Sequence, residues 1–266
     1  MNPIRRLGAA LFGPGMLAAG HGLGTGLAAL RRIHHLRRRS RAFSDQLHLA
    51  MVKSLLMVVL VAFFIGMILA LQLGYELSRF SQQEAVGVAV AVAMAREMGP
   101  MMTAVLLAAG VASAMAAELG TMRVQEEVTA LEVMSVDVNS YLVVPRVWAL
   151  AFAAPLLTLL ADEVGILGGG IIAVTQLGLD FQGYMSSALE ALEGDWGPLP
   201  IPRSIYAGLL KAFVFGFTIA TVGCATGLRA SQGASGVGIA TRTAVRASIV
   251  LIIVLNFFLG KLIYTG

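Results

Sequence analysis

From residue 52 onward the chain alternates long apolar runs with short polar stretches, and the run lengths set the elements. Residues 52–74 are apolar apart from Lys53, Ser54 and Gln72 and reach the roughly 20 residues a helix needs to cross a bilayer. Lys53 marks one end of this run, and Gly66 with Ala70 forms a small-xxx-small pair that admits a close neighbour. A polar turn from Tyr75 to Gln83 returns the chain. Residues 86–118 form a second run, interrupted only by Arg96, Glu97 and the Gly99-Pro100 pair. It exceeds a simple span, so the pattern predicts a tilt, a kink or an extension beyond the hydrocarbon, with proline at the break. The small residues between Ala108 and Ala117 predict tight helix contact. Further runs at Pro145–Gln176, 204–228 and 247–264 bring the prediction to five spans.

The polar intervals predict the remaining elements. Between Thr121 and Met134, Val124, Val128 and Leu131 recur at i, i+4 and i+7, while Arg123, Gln125, Glu126, Glu127 and Glu132 take the other faces. This predicts a short amphipathic helix N-capped by Thr121, either packed back on its own bundle or offered to a partner. Residues 178–203 are acidic and turn-rich, fitting an external loop with a short helix. The loop carrying Arg229, Arg242 and Arg246 reads as cytoplasmic. Near the start, Leu23, Leu27, Leu30 and Ile33 at helical spacing beside Arg31 and Arg32 suit a helix lying in the membrane interface.

Charge orients this scheme. Eight arginines (Arg5, Arg6, Arg31, Arg32, Arg37, Arg38, Arg39 and Arg41) precede the first acidic residue, Asp45, although the formal net charge is only +4. A basic leader next to a span places the N-terminus in the cytoplasm near anionic headgroups, and five spans then put the C-terminus outside. No aromatics interleave with the arginines, so nucleic acid is not the expected partner. The leader superficially resembles a signal peptide, but Gly13-Pro14-Gly15 breaks its apolar run and the segment is expected to be retained.

Composition agrees: 58% hydrophobic and 13% charged residues exceed what a soluble core needs. Cys224 is the sole cysteine, so no intrachain disulfide forms. Enzyme chemistry is not signalled. The chain has no GxxxxGK[ST] loop and no HExxH, and no histidine follows His48 to serve Ser235 in Gly233-Ala234-Ser235-Gly236, which reads as a flexible loop. His21, His34, His35 and His48 lack Cys or carboxylate partners at metal-ligand spacing. Two charged pairs remain at membrane depth, where charge is costly and marks function by default. Arg96-Glu97 reads as a functional pair or a structural ion pair. Asp162-Glu163 reads as a proton or cation relay or, favoured by the glycines of GILGGG that follow, as the cap of a break near an interface.

REMGP at Arg96–Pro100, AAELGTMRVQEEVTALEVMSVD at Ala116–Asp137, YLVVPRVWA at Tyr141–Ala149 and GVGIATRTAVRASIVLIIVLNFFL at Gly236–Leu259 together resemble the permease subunits of MlaE type, the membrane components of bacterial lipid-trafficking ABC transporters that work with MCE-domain proteins. The resemblance covers about residues 47–264. It implies an all-α membrane protein: a basic N-terminal interfacial amphipathic helix region (1–46), then a five-span permease domain (47–266) with a cytoplasmic coupling helix at about 121–135 between spans 2 and 3. It implies a homodimer in the bacterial inner membrane, docked on ATPase subunits that bind the ATP and Mg, with a STAS-domain protein and a periplasmic MCE-domain protein as further partners and phospholipid as substrate. No cofactor is expected in this chain. Arg96 and Glu97 match the charged pair at the lipid cavity, and Met67, Leu71, Leu73 and Tyr75 match the lipid-facing part of the first span. Arg123, Glu126, Glu127, Leu131 and Glu132 match the segment that couples to the ATPase. The chain departs from the pattern at Gly110-Val111-Ala112, which lacks the family's arginine, and at Asn256, where an aspartate is common. A scaffold that moves nothing and an ion-coupled transporter are the competing readings.

Overall fold

The computed structural model describes residues 22, 24–32, 39–193, 202–231 and 233–265, and nearly all of them are helical. We number the helices α1 (24–31), α2 (Ser40–Arg79), α3 (Gln83–Val124), α4 (Glu127–Val133), α5 (Asn139–Thr175), α6 (Phe181–Glu193), α7 (Arg203–Gly227) and α8 (Gly233–Thr265). Five of them, α2, α3, α5, α7 and α8, are long and apolar enough to cross a membrane. Among the described residues no extended sheet strand forms, and the protein is an all-α membrane protein.

Four of the five spanning helices run longer than the apolar runs that predicted them, and α7 matches its run in length. α3 is continuous for 42 residues, and it absorbs Gly99-Pro100 without breaking because a π-helical turn, Met94–Met98, precedes the proline. A second π turn, Ala108–Ala112, follows. Three expectations are corrected. GILGGG is not an irregular break: α5 runs helically through it to Thr175, so Asp162 and Glu163 cap nothing. Arg242, Arg246 and the Gly233–Gly236 stretch belong to α8 rather than to a loop. Thr121 caps no helix; it sits in the last turn of α3, and its hydroxyl donates to Ala117 O at 2.9 Å.

The chain forms two compact units, and four of the spanning helices contribute to both. The first unit comprises Met1–Ser54, Ala104–Ala153 and Val214–Gly266. Here α1 lays its small side on α7: Gly22 faces Val222, Gly26 faces Phe217 and Thr221, and Ala29 is buried. Trp148 Nε1 donates to Ala29 O at 3.3 Å, near the end of α1. Leu27 and Leu30 point outward, which leaves α1 an apolar outer face beside exposed Arg31. Leu23 and Ile33, the other members of that predicted row, lie outside the described residues. Arg32 Nε meets Asp137 Oδ2 at 3.2 Å, and the Arg39 guanidinium lies 4.2 Å from the Tyr141 ring centroid. Buried Arg146 bonds Glu118 at 2.6 Å and Leu142 O at 2.8 Å, so its charge is matched inside the unit.

The second unit comprises Leu55–Thr103 and Ala154–Phe213. The glycines of α5 are its packing surface. Gly165 and Gly168 meet the backbone of α2 at Ala62, Phe63 and Gly66, and Met94 and Val90 of α3 close on Gly165 and Gly169. Side chains at these glycines would collide with backbone, so the row buys helix contact at the expense of side-chain burial. Amphipathic α6 closes one end of the unit against α3, with Tyr184 and Ser187 seated on Gly87. Tyr184 Oη donates to Ile166 O at 3.0 Å, and burial pushes the phenol well above its ordinary range.

Candidate functional site

The site is built at the π turn of α3 within the second unit. A proline has no N–H to give back along its helix, so the carbonyls four and five residues earlier, at Arg96 and Ala95, receive nothing from residue 100. Inside a membrane such a carbonyl is costly unless another group supplies the bond. Lys211 of α7 supplies it: its Nζ donates to Arg96 O at 3.1 Å and to Glu97 Oε1 at 2.5 Å, and the lysine has no exposed surface. Gly208, one turn before Lys211, makes this approach possible, since a Cβ there would strike Ala95 O. Arg96 in turn donates from Nε to Ser204 Oγ at 2.9 Å. The turn therefore presents two cations and one carboxylate on a backbone held by side chains from α7.

This arrangement distributes the charged pair that stood out in the sequence. Glu97 is neutralised by Lys211, and the Arg96 guanidinium is oriented by Ser204, whose hydroxyl is buried. Lys211 belongs to the site although sequence reasoning did not assign it there. A lysine inside an apolar run needs a carboxylate, Glu97 was a mid-run carboxylate, and Pro100 announced a carbonyl short of a donor; those three signals together point to Lys211.

The first-span residues divide by helix face. Met67, Leu71 and Tyr75 fall at i, i+4 and i+8 on α2, with Met67 and Leu71 half-buried and Tyr75 exposed. Leu73 lies on the other side and packs with Leu69 and Leu77 onto the core of the second unit, around Val86, Val90, Met94 and Tyr184. The structure thus brings the first three together and sends Leu73 inward.

The predicted coupling segment lies in the first unit and differs from the expected single helix. α3 ends at Val124, Glu126 takes a left-handed conformation (φ 62°), and α4 is a separate seven-residue helix from Glu127 to Val133. The i, i+4, i+7 row of Val124, Val128 and Leu131 is therefore split across a turn. The reversal is held by burial of Val128 and by an ion pair of Arg123 with Glu132 at 3.8 Å. Leu131 is half-buried, while Glu126, Glu127, Glu132, Val133 and Met134 are exposed. One face of α4 packs back on its own unit and the other is exposed. Beyond it, Asp137 accepts from Ser140 Oγ at 2.8 Å and from the Asn139 N–H at 3.1 Å. Partial burial works against its ionisation, but these bonds and Arg32 outweigh it and hold the carboxyl below its usual range.

Among the described residues no group of three His, Cys, Asp or Glu side chains is placed to hold a metal ion. The family model described as Permease MlaE matches residues 43–262. A probable ABC transporter permease protein of Rickettsia bellii is 38% identical, over 79% of this chain and 78% of its own length. One from Synechocystis is 36% identical, over 84% and 81%. The intermembrane phospholipid transport system permease protein MlaE of Haemophilus influenzae is 32% identical, over 82% and 81%. The charged turn, the segment around α4 and all five spanning helices, apart from the first three residues of α2 and the last three of α8, lie within the matched residues, and this chain belongs to the MlaE permease family.

Proposed function

We propose that the protein is the permease subunit of an ABC transporter that moves phospholipid between the bacterial inner membrane and a periplasmic MCE-domain protein, in support of outer-membrane lipid asymmetry. The observation that carries this reading is the Arg96, Glu97 and Lys211 cluster set among apolar helices. A diacyl lipid needs hydrocarbon for its tails and a fixed cation for its phosphate. Arg96, aimed by Ser204, provides a charge-assisted donor, while Lys211 keeps Glu97 from repelling the phosphate. Met67, Leu71 and Tyr75 offer an apolar face for the acyl chains. The name of the Haemophilus relative, an intermembrane phospholipid transport permease, supports the substrate class.

The energy source is an ATPase partner that binds ATP and Mg, since this chain has no phosphate loop. α4 and its flanks, with Arg123, Glu126, Glu127, Leu131 and Glu132, dock on that partner and transmit its closure. The permease acts as a homodimer with its N-terminus in the cytoplasm, and a STAS-domain protein completes the cytoplasmic side. Native mass spectrometry of the purified complex tests the site. Wild-type protein carries bound phospholipid and Arg96→Ala loses it; equal occupancy in the variant removes Arg96 from the lipid site.

A further inference from the structure

A second polar feature lies inside the second unit, and the lipid-site reading does not use it. Asp162 of α5 directs Oδ1 into the space left by the missing side chain of Gly99, directly behind the π turn. That oxygen is fully buried and has no hydrogen-bond partner in the protein. Contacts along the two helices fix their register: Val90 meets Gly169, Met94 meets Gly165, and Asp162 meets Gly99. α3 and α5 are thus antiparallel here, and one turn further on the same register sets Thr103 of α3 opposite Thr158 of α5. Both hydroxyls are buried, and neither has a protein partner. Three unsatisfied polar side chains in one seam between two membrane helices are uncommon enough to require a cause.

We propose that Asp162 is a proton-binding site: it carries a proton as a neutral carboxylic acid while its oxygen rests on Gly99, and proton release loosens α5 from the charged turn. A buried carboxylate needs a cation or several donors, whereas the neutral acid tolerates the apolar Cα methylene of Gly99. The titratable groups on the elements packed around it do not furnish that cation. Glu163 is a second acid on the same helix. Tyr184 of α6 spends its hydroxyl on Ile166 O, and Lys211 of α7 is committed to Glu97 and Arg96 O. On α3, Arg96 is bonded to Ser204 and Glu97 to Lys211, and the α2 residues facing α5 (Ala62, Phe63 and Gly66) do not titrate. Asp162 as a whole is only half-buried, which leaves its outer oxygen a route for proton exchange. Thr158 and Thr103 continue the seam as hydroxyls suited to a bound water.

Infrared spectroscopy of the full-length protein in lipid bilayers tests this. At pH 7 the wild type should show the C=O stretch of a protonated carboxyl, lost in Asp162→Asn and kept in Glu163→Gln. On raising the pH until the band disappears, amide exchange at residues 94–103, corrected for its intrinsic pH dependence, should speed up in the wild type and not in Asp162→Asn. If Asp162→Asn does not fold, carboxyl-labelled aspartate in the wild type assigns the band to aspartate rather than glutamate. Absence of an aspartate band at pH 7, its survival in Asp162→Asn, or exchange that ignores its loss overturns the proposal. None of these readouts involves lipid, so the result stands apart from the transport reading.

Discussion

Lys211 and Arg96 are joined by a side-chain-to-backbone bond of 3.1 Å, and the carbonyl involved is the one that an N–H at residue 100 would serve in an α-helix, a donor that Pro100 lacks. The lysine thus repairs the helix and neutralises Glu97 with the same ammonium group. Removing it strands a carboxylate and a carbonyl together. Lys211→Met should destabilise the protein by about 3–5 kcal/mol, the usual effect of breaking a buried ion pair from one side. Thermal unfolding in detergent measures this. Pro100→Ala restores an N–H to the helix, so the lysine replacement should cost about 1 kcal/mol less in that background. Strict additivity in the double-mutant cycle would show that the carbonyl bond is unimportant.

Close helix approach at glycine makes a second prediction. Gly208→Ala drives a methyl into Ala95 O and Gly66→Ala drives one into Gly165 O, whereas nothing lies within 4 Å of a Cβ at Gly110. The first two substitutions should destabilise by about 1–3 kcal/mol, as overpacking does, and Gly110→Ala should fall within about 0.5 kcal/mol of wild type. Unfolding midpoints that rank Gly110→Ala with the others would contradict the packing described for the second unit.

The turn before α4 offers a third. Glu126 occupies the left-handed region without a glycine's freedom, so Glu126→Gly should be neutral or stabilising by up to about 1 kcal/mol. Charge reversal at Glu126 and Glu127, which spares the Arg123–Glu132 ion pair, should leave folding intact and weaken co-purification of the ATPase. Val128→Asp should instead unfold the turn, because that side chain is buried. Undiminished ATPase capture by the charge-reversed protein would remove α4 from the docking surface.

Acid sensitivity follows from Asp137, whose carboxyl is held below its ordinary range by Ser140, Arg32 and the Asn139 N–H against partial burial. A carboxylate with a depressed folded-state pKa contributes stability at pH values above its unfolded value of about 3.9, and that contribution disappears as pH falls through the lower folded value. The tie between Arg32 and Asp137 should therefore hold at neutral pH and fail only below about pH 4. In Asp137→Asn the corresponding part of the acid-unfolding curve should be missing. An Asp137-dependent change near neutral pH would show that the pairing is wrong.

The spans were legible because bilayer thickness is written into the length of apolar runs, and Arg96 and Glu97 were legible because charge is rare there. Lys211 was harder to assign because its partner is more than a hundred positions away and its purpose depends on a carbonyl that no side-chain pattern reveals. The GILGGG stretch misled because glycine serves both irregular backbone and close packing; only the neighbouring α2 backbone shows which applies. Thr121 had the composition of a cap, yet the preceding helix ran on past it and used its hydroxyl internally. Leu73 shared a stretch with Met67, Leu71 and Tyr75, but two residues along a helix rotate a side chain by about 200° and send it to the core.

The most direct test of the functional account is ATP-dependent transfer of labelled phospholipid by the complex, reconstituted with the proposed ATPase and MCE partners in vesicles. Wild-type protein should transfer lipid only with hydrolysable ATP, and Arg96→Ala should lower the rate by at least about tenfold, the equivalent of one charge-assisted phosphate bond, while assembly and ATP hydrolysis persist. Transfer at the wild-type rate by Arg96→Ala, or an intact complex that hydrolyses ATP and moves no phospholipid, would contradict it.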